Sequence, residues 1–236
     1  MITNIYSKHK ELWKVHRNAM LLVTILTAVA TGLVSSIPVI GALVAGLVVA
    51  PVMMAATYKA IQSEAPFSVG LVLEKIKDNL TMDVVSMQWS LAWRLFLWGL
   101  IPIYGLVKYY QYTRAFYIKL DNPEMSNVDC IRTSQEDMNG HKWDYFVRRI
   151  MTALPLYLSI PVLFVLLVPV IIATAATSSN LGTAAGLIGI FSTLGVFMVL
   201  FAVIGFYYEA KLNHFGLILN DTMEGIRKGE HWETIL

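Results

Sequence analysis

Six residues able to do chemistry lie inside or at the edge of apolar stretches: Arg94, Lys108, Gln111, Tyr112, Arg114 and Glu209. Three cations, an amide and a phenol in a low-dielectric setting suggest an electropositive pocket. Such a pocket suits an anionic lipid headgroup, a peptide carboxylate or a small solute. A charge at the bilayer centre costs about 2.5–3.5 kcal/mol, so Lys108 and Arg114 together cost ~5–7 kcal/mol. Aliphatic neighbours return only about 0.3–0.6 kcal/mol each. Their helix must therefore pack against partners or line a wet cavity. At about 1.5 Å of rise per residue, Lys108 falls in the outer part and Arg94 and Gln111 near the middle. Arg114 and Glu209 fall towards the inner end, which makes Glu209 the expected counter-ion of Arg114. Arg94 and Lys108 then bind carbonyls freed at Pro102 and Pro38, snorkel outward, or meet a ligand.

Other chemistries lack their residues. The five histidines, His9, His16, His141, His214 and His231, are scattered. There is no HExxH, no G-x-S-x-G elbow and no Walker A loop. Asp78/Asp83 and Glu136/Asp137 read as solvated helix faces rather than metal ligands. A single cysteine, Cys130, excludes an intramolecular disulfide. The expectation is a non-enzymatic protein without cofactor or metal. A formal net charge of +2 is too small to argue for nucleic acid.

The elements that must position these residues are membrane helices. Of the 236 residues, 56% are hydrophobic and only 14% charged, with a mean hydropathy of +0.60, which does not describe a soluble globule. The whole chain reads as a single membrane domain, all-α, with six transmembrane helices. Residues 1–18 form a basic amphipathic segment for an anionic surface. The first apolar run is longer than a signal-peptide core and reads as a permanent anchor. A first hairpin unit occupies 19–80: spans at 19–36 and 41–61, a kink at Pro51, and an amphipathic interfacial helix from Ser68. A second unit occupies 81–140, with a breaker at Pro102–Gly105. The last two spans lie within 141–212, with Pro155, Pro161 and Pro169 along the fifth and a short loop at 174–183. Residues 213–236 read as a polar cytosolic tail.

Ile37-Pro38-Val39-Ile40-Gly41 recurs as Ile101-Pro102-Ile103-Tyr104-Gly105, and a proline loop and a serine-led helix follow each. This is a weak internal duplication of about 60 residues; the alternative is resemblance between two generic hairpins. With both termini inside, the three external loops carry no charge, in keeping with the positive-inside rule. A re-entrant hairpin over 86–118 has the same sidedness and stays open as an alternative for helices three and four.

The run LW-x-L-I-P-x-x-G-x-x-K-x-x-x-Y begins at Leu97 and ends at Tyr112, and it continues to Asp121-x-Pro123. Ser134, Met138, Gly140, Lys142 and Phe146 follow, then Phe206-Tyr207-x-Glu209. Together these resemble a family of uncharacterised integral membrane proteins of Firmicutes, distantly similar to the membrane domain of some glycerophosphodiester phosphodiesterases. The resemblance implies a bacterial plasma membrane and a multi-helix fold, with no established reaction. Two functions are expected from the residues. One is a binding or transport module for an anionic lipid, peptide or solute. The other is a scaffold or accessory subunit docking through 121–149, with a membrane-complex partner or a second copy of the chain.

Overall fold

The computed structural model describes residues 2–38, 40–181 and 183–228. Among them every regular element is helical: α1 (Ile2–Ser35), α2 (Gly41–Val44), a π turn (Ala45–Val49), α3 (Ala50–Ile61), α4 (Val69–Asn79), α5 (Met82–Gly99), α6 (Pro102–Tyr112), α7 (Ala115–Asp121), α8 (Asn127–Asp137), α9 (Lys142–Leu181) and α10 (Thr183–Arg227). Four stretches are long and apolar enough to cross a membrane: Asn4–Ser35, Gly41–Ile61, Lys142–Ala173 and Phe191–Arg227. Among the described residues α5 and α6, where the third and fourth spans are expected, are not part of these four. At 11 residues, α6 is only about 17 Å long, well short of a hydrocarbon core of about 30 Å.

Proline and glycine set the breaks. Pro51 has no N–H and crowds the carbonyl of Leu47, and the rod from Gly41 to Ile61 widens into the π turn just ahead of it. The two Ile-Pro turns are built alike. Ile37 N–H donates to Val34 O (3.1 Å) and Gly41 N–H to Ile37 O (3.0 Å). Ile101 N–H donates to Trp98 O (3.0 Å) and Gly105 N–H to Ile101 O (2.8 Å). A Cβ on Gly41 would lie 2.1 Å from Val34 O, and one on Gly105 would lie 2.8 Å from Trp98 O. Each glycine lets its helix start against the carbonyl seven residues earlier. The serine-led helices also correspond: Ser68 Oγ accepts from Leu71 N–H to open α4, and Ser126 Oγ accepts from Asp129 N–H to open α8.

Three expected boundaries move. The amphipathic segment 1–18 is continuous with the first span as one helix. The loop expected at 174–183 is helical in its described residues, since α9 runs to Leu181 and α10 starts at Thr183. The expected polar tail is instead the best-buried part of α10, with Phe215, Leu217, Ile218 and Leu219 in the core; residues 229–236 lie outside the described ones. The core gathers where α1, α3, α5, α7, α8, the start of α9 and the end of α10 meet, around Tyr58, Met87, Phe116 and Tyr145. Away from this packed end the helices expose apolar side chains, among them Leu33, Ile40, Val165 and Met198. An all-α fold with its apolar surface turned outward is what a bilayer requires.

Candidate functional site

Arg114 sits where α6 ends and α7 begins. Leaving the helix frees the Gln111 carbonyl and the Arg114 N–H, and one side chain satisfies both. Ser134 Oγ of α8 donates to Gln111 O (2.7 Å) and accepts from Arg114 N–H (3.2 Å). The guanidinium is buried, 2% exposed. Its Nη1 donates to Asp137, and its Nη2 lies 3.8 Å from Glu224 of α10. Glu224 is held in turn by Arg227 (2.7 Å) and Lys228 (3.8 Å). Glu209 is therefore not the counter-ion of Arg114. The depth count assumed straight spans, whereas α6 stops at Tyr112 and α10 continues about 22 Å beyond Glu209 to reach Glu224.

The other sequence candidates disperse. Lys108 Nζ lies over the rings of Trp98 and Tyr104 (5.4 Å each) and Tyr112 (5.9 Å). Trp98 Nε1–H donates to the Tyr112 hydroxyl (3.1 Å), which closes the cage between α5 and α6. This cation is held by its own hairpin through ring faces. Arg94 is half-buried on α5 and makes no ion pair among the described residues. The side-chain oxygen of Gln111 is buried and has no hydrogen-bond partner among them.

Of the cavities beside α10, two contain sequence candidates. One, of about 250 Å³, lies among α3, α5, α6, α7, α9 and α10 and is lined by Gln88, Tyr109, Tyr112, Arg149, Asn213 and Asn220, among others. Arg149 Nη1 donates to the Tyr145 hydroxyl (3.4 Å), and its guanidinium lies 5.9 Å from the Tyr109 ring centre. The other, of about 320 Å³, lies among α1, α3, α7 and α10 and includes Glu209. Met54, Tyr117 and Asn213 line both. Tyr112 alone of the six sequence candidates lines the first cavity and Glu209 alone the second, so the six do not form one pocket. In the sequence Arg149 stands at the start of the fifth expected span, where the positive-inside rule accounts for an arginine without any site.

A third constellation joins the ends of the chain. His214 of α10 lies between two histidines of α1: His9 Nδ1 to His214 Nδ1 is 2.9 Å, and His16 Nδ1 to His214 Nε2 is 3.1 Å. His9 and His214 are fully buried, beside Trp13 and Phe215. The histidines read as scattered, although His9 and His16 are seven apart and share a face of α1. Because the two contacts use different nitrogens of His214, the arrangement is a hydrogen-bonded chain rather than a single metal's ligand set, and no metal-binding group of three or more occurs among the described residues.

The fold and these sites define an all-helical protein with four helices long and apolar enough to span a membrane. No protein-family model, curated protein or solved structure matches the chain.

Proposed function

We propose that this chain is a non-enzymatic binding or transport module of a bacterial plasma membrane, holding a small anionic ligand in the cavity that Arg149 lines. One observation carries the reading: Arg149 shares this cavity with amides and phenols, and no carboxylate is among its lining residues. A guanidinium offers paired donors that match a carboxylate or phosphate, while Gln88, Asn213 and Asn220 supply orienting polar groups. The electropositive role thus passes from Arg94 and Lys108 to Arg149. Purified protein in detergent should be stabilised by dihexanoyl phosphatidylglycerol or by inorganic phosphate, and not by dihexanoyl phosphatidylcholine. Arg149→Gln should remove that gain, about 2.7 kcal/mol when ligand stands 100-fold above Kd, while Arg94→Ala and Lys108→Ala retain it. A full response in Arg149→Gln sinks the reading.

The same proposal sets both termini and the packed end in the cytoplasm. Four helices cross, and α5–α6 dips in as a hairpin and returns. The short α6 supports this, as does a charge-free tip where Leu100 and Ile103 are 72% and 83% exposed. Cys130 is a poor reporter of sidedness: it is buried, and burial pushes its thiol pKa up. In a Cys130→Ala background, Ser36→Cys should react with an impermeant thiol reagent from outside. Val128→Cys should react only after permeabilisation, and Gly99→Cys at the hairpin tip from neither side. Labelling of Gly99→Cys from outside would restore six spans, and labelling of Val128→Cys in intact cells would reverse the sidedness.

A second reading, an accessory subunit docking through 121–149, is favoured by Val128 and Trp143, 59% and 70% exposed on that segment. Asp137, within that segment, is taken by Arg114. A stoichiometric partner crosslinked at those two positions would favour docking; a monomer carrying a bound small molecule counts against it.

A further inference from the structure

We propose that the Glu209 cavity is a second binding site of opposite preference, one that takes a small primary ammonium ion with a short apolar body. The argument starts from its donors and acceptors. Thr27, Thr31 and Thr57 line the cavity, and each hydroxyl donates within its own helix: Thr27 Oγ1 to Val23 O (2.8 Å), Thr31 Oγ1 to Thr27 O (2.7 Å) and Thr57 Oγ1 to Met53 O (2.6 Å). With their single protons committed, these oxygens keep only acceptor capacity for an occupant. Glu209 adds a carboxylate, acceptor-only when ionised. No lysine, arginine or histidine lines the cavity.

Glu209 also has no counter-ion among the described residues. Arg114 is held by Asp137 and Glu224. Lys211, two residues along α10, has its ammonium 5.9 Å from the Tyr208 ring centre. Glu209 is exposed where it borders the cavity, so its carboxylate is open to a cation arriving from outside. Thr24 and Asn213 add two further polar groups, and the remaining lining is mostly apolar and soft, with Met20, Met53 and Met54 beside Ala28 and Tyr117. Thioethers and a ring face suit an alkyl chain, and about 320 Å³ leaves room for a few carbons behind the ammonium. A carboxylate and three committed threonine oxygens beside thioethers and a ring face favour an N–H donor with a short hydrocarbon tail over bare alkali ions.

The shared lining residues, Met54, Tyr117 and Asn213, put this site next to the one at Arg149 without giving it the same ligand. The two are separable. Titration of the full-length protein in detergent with n-butylammonium chloride, followed by melting temperature and tryptophan fluorescence, should show saturable binding. Sodium chloride at equal ionic strength and sodium butyrate should not, and tetramethylammonium, which lacks N–H, should bind at least tenfold more weakly. Glu209→Gln should weaken n-butylammonium at least tenfold, and Thr24→Val, which removes a lining hydroxyl of a different helix, should weaken it several-fold. Arg149→Gln should leave it unchanged, just as Glu209→Gln should leave the phosphatidylglycerol response unchanged. Equal n-butylammonium binding by wild type and Glu209→Gln overturns the site. Saturation by sodium in place of n-butylammonium, or no saturable response up to 10 mM of the amine (on the order of the weakest affinities of interest), overturns it as well.

Discussion

Arg114→Gln is expected to lower the melting temperature in detergent by on the order of 10 °C, and Glu224→Gln by a similar amount. Both charges are buried, with side-chain exposures of 2% and 3%, and removing one member of such a group strands the others in a poorly solvated site. The usual cost is about 3–5 kcal/mol, and at this chain length a few degrees accompany each kcal/mol. Asp137, at 22% exposure, can be rescued by water, so Asp137→Asn should cost less. The coupling is the sharper readout. Arg114→Gln with Glu224→Gln should lose less than the sum of the two single losses, as contacting residues do. Arg114→Gln with Glu209→Gln should be additive. The reverse pattern would mean that α10 sits about 22 Å, or four turns, out of register with α6.

His214→Ala should be the other large loss, about 2–4 kcal/mol, for two separable reasons. It empties a fully buried site between α1 and α10, and it leaves His9 Nδ1 and His16 Nδ1 without their shared partner. His214→Phe divides the two causes. It keeps a ring among Trp13, Phe215 and His9 but removes both hydrogen bonds, and should still cost about 1–3 kcal/mol. Hydrogen exchange should then rise selectively in the first four turns of α1, where the contacts with α10 are lost. A His214→Phe protein as stable as wild type, with α1 equally protected, would show that aromatic packing alone holds the two helices together.

The local rules of the chain were legible and its long-range pairings were not. Proline, glycine and serine announce their effects in place, so the turns at Ile37–Gly41 and Ile101–Gly105, the disturbance at Pro51 and the openings of α4 and α8 could be read from single residues. Residues 213–227 read as a polar tail because His214, Asn220, Asp221 and Glu224 make the segment look solvated. The apolar set Phe215, Leu217–Leu219 and Met223 was the signal that it continued as a packed helix. Arg114 was recognised as a buried charge needing an acid, since the cost of leaving it unpaired is a property of one residue. Which acid meets it depends on where α6 stops, and that is fixed by Ser134, a neutral residue twenty positions away. The Arg149 cavity follows from how α5, α6, α9 and α10 meet, which no spacing within one helix reveals.

The pairing of early helices with the last one has a consequence for biosynthesis. His9 must wait for a residue 205 positions later, and Arg114 for Glu224, 110 positions on (224 − 114). At about 5–20 residues per second, the ribosome delivers these partners roughly 10–40 s and 6–22 s after the residues that need them. Through that interval α1 has no imidazole opposite, and the turn after α6 has Asp137 alone. A nascent chain stalled before α10 therefore displays a guanidinium with only one of its two acids and an open aromatic face, the kind of feature that chaperones and proteases engage. Completion of α10 is the event that hides both, so release from quality control is tied to the last helix made.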